Sequence, residues 1–437
     1  MVKRIFLNRG VIAYSLQEAL LLLPAIAATV NLLLFAVWKG AESWQATDWY
    51  ISNEFGFVRR GLLGGPLRQI SEQVSWLDVN LFAFSITAMA VFAASVVTVS
   101  NSRDLPYLNR FAIMFSPAFY TFFILLETGG GGRKEALSIL LILSYALSQR
   151  LKSCFGNLVG IVLLVIGLPV VTLIHESNFL FSAPILFFML SIDFLLESSF
   201  ESLYRFRRES IMALIRKFFL LVPGCIAFFF AYLYSSPELS VVQSICASWQ
   251  AILSDLGCNP LPAALRALAS QDGYLERINF VFGKPNIYAQ IAYSLLYVFL
   301  IMNAFCYPIV QNFASGSSFL ERSKIRFSVF FLAFIAFLSS LPLYIFAVDY
   351  GRWFSTTVTL VIIVCVVSRE RIASAAILLP DGLFERRLAL SPRLDPKLAS
   401  LSIMFGSSIF TVPYCCVQFW QFTSIAKGAM KVLSGFW

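Results

Sequence analysis

The chain has 437 residues, of which 59% are hydrophobic and only 13% are charged. A soluble domain carries roughly 25% charged residues, so about half of the usual water-facing surface is missing and a soluble globular enzyme is excluded. The net charge of +9 does not point to nucleic acid, because the basic residues stand in short clusters between apolar runs. That is the pattern of membrane topology, not of a phosphate-reading stripe.

From the amino terminus, the segment Pro24-Ala25-Ile26-Ala27-Ala28 mimics a signal cleavage site, yet the apolar run continues past it to Trp38. The first helix is therefore read as uncleaved. A spanning helix needs about 20 apolar residues. Runs of that character fall at 17–38, 76–99, 111–126, 135–149, 157–174, 179–196, 218–234, 286–312, 327–347, 354–368 and 398–422. The expectation is one all-α transmembrane bundle, residues 1–437, with about eleven spans. With the amino terminus inside, 21 of the 33 basic residues fall on the inner side, so a cytoplasmic amino terminus is expected.

Two outer loops are then long, 39–75 and 235–285. The second holds Cys246 and Cys258, the two cysteines placed in an outer loop. A disulfide would clip that loop shut in an oxidising compartment; two unpaired thiols are the alternative.

Four polar segments fall on the outer side. The first loop carries Trp44, Asp48, Trp49, Glu54, Arg59 and Arg60 among four glycines. It is expected to form interfacial helices lying on the membrane with aromatics toward lipid. The second segment runs Gly129-Gly130-Gly131-Gly132-Arg133-Lys134-Glu135 into a helix. It offers backbone N–H groups and a positive helix end to an anionic phosphate, or is simply a tight turn with a snorkelling lysine. The third, His175-Glu176-Ser177-Asn178, contains the sole histidine of the chain. One His and one Glu are too few to indicate a metal site, so no cofactor is expected, with a divalent metal left open but not indicated. They read as a catalytic or orienting pair, or as a satisfied helix end capped by Ser177 or Asn178. In the fourth, Asp349 and Arg352 lie three apart. They could pair across a helix end, or Asp349 could orient Arg352 toward a phosphate.

Four separate segments thus bring carboxylates and cations to one membrane level. A sugar donor linked through phosphate to a membrane lipid requires that inventory. Arg59, Arg60, Arg133, Lys134 and Arg352 would receive the phosphate, and a carboxylate would take the acceptor's proton.

At this point the chain resembles the multi-spanning GT-C glycosyltransferases, in having a first helix followed by a long outer loop with early acidic residues. That resemblance implies that Asp48, with Glu54 second, is the catalytic base, although Asp48 is followed by Trp49 where many members carry a second acid. The His175-Glu176 and Asp349-Tyr350-Gly351-Arg352-Trp353 elements resemble those of bacterial O-antigen and exopolysaccharide polymerases. Either resemblance implies surface-glycan assembly in a bacterial inner membrane, with membrane lipid, a lipid-linked sugar donor and a glycan acceptor as partners. The rival from another class is a transporter or flippase, whose site would lie near mid-membrane. Few charges stand there: Asp193 and Glu197 sit toward one end of a span, and Asn31 and Asn303 read as single interhelical hydrogen-bonding residues.

Overall fold

The computed structural model describes residues 16–38, 44–70, 75–151, 153–197, 208–234, 237–250, 257–269, 287–314, 318–346, 349–381, 394–411 and 421–422. The fold is an all-α bundle. Among the described residues, extended pairing is confined to Phe410–Thr411 against Gln421–Phe422.

Among the described residues, seven helices are long and apolar enough to cross a membrane: Leu16–Trp38, Trp76–Asn101, Cys154–Ile174, Ser177–Glu197, Ile291–Ala314, Phe319–Tyr344 and Tyr350–Val367. Met212–Phe219 and Val222–Leu233, bent by 46°, make an eighth if taken together. A count of about eleven needs three shorter segments as well. The expected span 111–126 is split into Tyr107–Met114 and Tyr120–Leu126. The break falls at Ser116-Pro117, where proline lacks an N–H and drives the preceding residue out of helical geometry. Ala136–Arg150 is fifteen residues long. The expected span 398–422 is helical over Pro396–Ile409, and most of its remainder lies outside the described residues.

Local chemistry explains several boundaries. Ser75 and Asp78 form a reciprocal capping box that opens Trp76–Asn101, filling two backbone donors at a helix start. Wide π-type turns at Leu163–Gly167 and Met302–Cys306 precede Pro169 and Pro308. Pro308 cannot donate to the carbonyl four residues back, and Asn109 Nδ2 donates to that carbonyl, Ala304 O, at 2.6 Å instead. Asn303 bonds within its own helix, to Phe299 O at 2.9 Å, and not across helices as expected.

Tyr350–Val367 is buried along its whole length and forms the axis of the bundle, packed against Trp76–Asn101, Tyr120–Leu126, Ala136–Arg150 and Phe319–Phe346. Its first turn therefore opens into the interior of the protein, not onto a rim. The long loop 235–285 contributes the short helices Leu239–Gln250 and Ala263–Ala269, and its two cysteines are bonded, Cys246 to Cys258. Ala263–Ala269 packs on Trp44–Trp49, and Trp249 meets Tyr50 and Trp76 edge-on. The clipped loop thus lies over the first loop.

Candidate functional site

The first loop supplies one wall. Trp44–Trp49 is a short helix as expected, but its aromatics turn into the protein and not toward lipid. Trp49 is fully buried and donates from Nε1 to Gly132 O at 2.6 Å, while Gln45 Nε2 donates to Gly129 O at 2.7 Å. The loop is pinned to the glycine run because indole and amide donors must find acceptors once buried.

The glycine run is correspondingly occupied. Gly130 N donates to Glu127 O at 2.8 Å and Gly131 N to Thr128 O at 2.9 Å. Gly132 N donates to Thr87 Oγ1 at 3.0 Å. Three of the N–H groups that the sequence offered to a phosphate, those of Gly130, Gly131 and Gly132, are therefore spent inside the protein. Glycine is needed here for space: a Cβ on Gly131 would stand 2.3 Å from Leu32 Cδ2, and Gly132, at φ +67°, would press 2.8 Å from Phe84.

What the run delivers is the three residues after it. Lys134 is fully buried, so it does not snorkel. Its Nζ donates to Asp48 O at 2.7 Å and to Arg60 O at 3.0 Å, and lies 3.7 Å from Asp48 Oδ2. Arg60 Nη1 lies 3.7 Å from Asp48 Oδ1. Burial by itself would raise the Asp48 carboxyl, but Lys134 and then Arg60 outweigh it and hold the group at about 2. Burial brings the Lys134 ammonium down to about 8, with Asp48 opposing. Asp48 is therefore an anion boxed by two cations. Arg60 adopts φ +70°, a left-handed conformation that a non-glycine residue enters at a cost of roughly 1–2 kcal/mol. Its carbonyl bond to Lys134 helps to hold it there.

Glu176 gathers the two adjacent arginines. It accepts from Arg60 Nη2 at 2.7 Å and from Arg59 Nη1 at 3.4 Å, and Arg59 Nη2 also donates to Ala267 O in the clipped loop at 3.3 Å. Burial opposes ionisation of Glu176, and Arg60 overrides it, keeping the carboxyl well below its usual range. The neighbouring His175 accepts at Nδ1 from Ser177 N at 3.2 Å. A neutral imidazole that accepts at Nδ1 carries its proton on Nε2, and that nitrogen faces Glu135 Oε1 at 4.0 Å. Burial, reinforced by Arg60, lowers His175 to about 4, so the ring is neutral at physiological pH.

Glu135 is the residue that reading the sequence passed over. A carboxylate opening a helix is ordinary dipole complementation, and no local signal separated it from that role. In the fold it is 1% exposed, with Oε1 3.1 Å from Arg352 Nη2. The same Nη2 donates to Asp349 Oδ2 at 2.7 Å, the pairing expected from their spacing. Arg133, 7% exposed, lies over the Trp44 ring at 5.3 Å. Burial, with Arg352 adding to it, lowers its guanidinium to about 10.

Asp48, Arg59, Arg60, Arg133, Lys134, His175, Glu176, Asp349 and Arg352 thus join one charged cluster, in which Glu135 links His175 to Arg352. Glu54 is exposed on the bend after Tyr50, and Asp48, at 2% exposure, is the buried acid of that loop. Among the described residues, no group of three or more His, Cys, Asp or Glu side chains is placed to hold a metal ion. No known protein family, characterised protein or solved structure matches the chain.

Proposed function

We propose that the protein is a membrane glycosyltransferase or glycan polymerase. It moves a sugar from a lipid-linked phosphate or pyrophosphate donor to a glycan acceptor at the end of the bundle that carries the cluster. With the amino terminus cytoplasmic, that end faces outward, as cell-surface glycan assembly at a bacterial inner membrane requires.

The observation that carries this reading is the gathering, in a membrane bundle, of five cationic side chains and four carboxylates from four chain segments, with Asp48, Arg133, Lys134, Glu135 and Arg352 buried and Arg59, Arg60, Glu176 and Asp349 half-buried. Burying charge without a task is costly. In the proposed reaction an acceptor hydroxyl oxygen attacks the anomeric carbon while the carbon–oxygen bond to phosphate breaks. The phosphate leaves with the bonding electron pair and is stabilised by the cations. The hydroxyl proton passes to a carboxylate, for which Asp48 is the candidate: it is ionised, buried and fixed. Glu176 is hydrogen-bonded by Arg59 and Arg60, whereas the cations beside Asp48 stand 3.7 Å from its oxygens, and His175 acts through orientation, since its accepting nitrogen is already bonded.

The test uses the purified full chain in lipid nanodiscs with a panel of radiolabelled polyprenyl-phosphate and polyprenyl-pyrophosphate sugars. The wild type is expected to transfer label to a glycan acceptor, and Asp48→Asn to lose at least about 100-fold in rate. Movement of the intact donor across a bilayer without bond cleavage would replace the transferase reading with a flippase.

A further inference from the structure

The five cations of the cluster are not equivalent. Arg59 and Arg60 are engaged by Glu176, and Lys134 by Asp48 and two backbone carbonyls. Arg133 forms no ion pair with a carboxylate among the described residues and instead lies over Trp44. Its Nε is buried without a hydrogen-bond partner, as are Nε and Nη1 of Arg352. Both arginines are more than nine-tenths buried. Buried donors without acceptors are rare in native proteins because each forfeits its solvation; several on two neighbouring guanidinium groups mark a place where an acceptor belongs.

The acceptor that stands there is Glu135, and it is poorly engaged. Both of its carboxylate oxygens are buried and neither has a hydrogen bond of good geometry, although Oε1 is 3.1 Å from Arg352 Nη2. Glu135 neutralises Arg352 without filling its hydrogen-bonding edge.

From this, and resting on the transferase reading for the identity of the ligand, we infer that Arg133 and the free edge of Arg352 form the binding site for one phosphate-type anion, with Glu135 as the resident counter-ion that competes with it. A tetrahedral phosphate has enough acceptor oxygens to engage both guanidinium groups at once. Asp48, with Lys134 and Arg60, then forms a separate flank of the site. The roles divide between an anion-binding flank on Arg133 and Arg352 and a carboxylate flank on Asp48.

The experiment measures binding of decaprenyl phosphate in nanodiscs, and of inorganic phosphate and pyrophosphate in solution, to the full chain labelled with 15N-histidine. His175 is the sole histidine and faces Glu135, so a single imidazole signal reports on the site and on native folding. Decaprenyl phosphate is expected to bind and shift that signal. Arg133→Gln is expected to weaken binding on the order of tenfold or more, Arg59→Gln by less than about threefold, and Glu135→Gln to strengthen it several-fold. Where Arg133→Gln fails to give the native imidazole signal, Arg133→Lys keeps the charge, loses the fork, and is expected to bind more weakly than the wild type.

Unchanged binding in folded Arg133→Gln overturns the site, as does weaker binding in folded Glu135→Gln, or no binding of any of the three anions to the wild type. Binding of inorganic anions with no preference for the lipid form upholds the site and assigns it to a free phosphate. Anion binding without sugar transfer upholds the site while removing the transferase reading, and transfer that survives Arg133→Gln does the reverse.

Discussion

Ion pairs close both ends of this bundle, and the two sets differ in burial. At the end that carries the cluster, Asp48, Lys134, Glu135 and Arg352 are each at most 4% exposed and come from three chain segments, Asp48 facing Lys134 and Glu135 facing Arg352. At the opposite end the pairs stand mostly apart: Arg103–Glu18 at 2.7 Å, Arg369–Asp104 at 2.7 Å, Lys217–Glu197 at 2.8 Å and Lys324–Asp381 at 2.6 Å, with Arg371 on Asp193. Glu197 and Asp381 have two-thirds of their side chains in the open. Exposed carboxylates such as those two add little to stability, whereas Glu18 and Asp193 at that end are buried. The buried set was expensive to desolvate, and an apolar core of the same volume would hold the helices together at least as well. Charges at the second end mark where the chain leaves the apolar layer; charges at the first end are better explained by chemistry than by folding.

Removing Lys134 gives the sharpest test of that contrast. Lys134→Met leaves Asp48 facing only Arg60 and strips two carbonyls of their donor. It is expected to cost about 3–5 kcal/mol, read as a lower unfolding midpoint in detergent, with Asp48→Asn recovering part of the loss in the double variant. A loss of less than about 1 kcal/mol would erase the distinction between the two ends.

A smaller effect comes from pH. His175 is pushed from its ordinary 6.5 down to about 4, so between those values the unfolded chain holds a proton that the folded chain refuses. Stability is therefore complete above pH 6.5 and declines as pH falls toward 4. The decline in unfolding midpoint over that window should shrink in His175→Asn. The 15N spectrum of the wild type at pH 6 should show a neutral ring protonated on Nε2; a charged imidazole there would contradict the burial of the cluster.

The smallest effect is expected at the opposite end. Lys217→Ala, which breaks an exposed pair, should change stability by no more than about 1 kcal/mol in the same assay. A larger loss would mean that the peripheral pairs contribute more than their exposure implies.

How far these features were legible from sequence depended on their range. The helices starting near Trp76, Ser177 and Tyr350 were visible because about 20 apolar residues in a row admit few other structures. The interruption at Ser116-Pro117 was less visible, since a proline can kink a span without ending it. Asp48, Lys134, His175 and Arg352 were visible as polar residues at one membrane level. Glu135 was hidden by its position: at the first turn of a helix an acid has a local explanation, and only Arg352, 217 positions away, gives it another. The glycine run misled in the opposite sense, because its open N–H groups are filled by Thr87, Glu127 and Thr128, and Thr87 reaches it from another helix.

The sequence by itself determined that the chain is a membrane helical bundle and that its unusual polar residues gather at one end, because hydropathy and charge placement act over one helix length. Only the tertiary structure decided which charges meet: Arg60 with Glu176, Lys134 with Asp48, Arg352 with Glu135, and Arg133 with none of the acids among the described residues. Those pairings depend on how helices distant in the chain pack around Tyr350–Val367, and the local pattern of residues carries no record of a neighbour a hundred positions away.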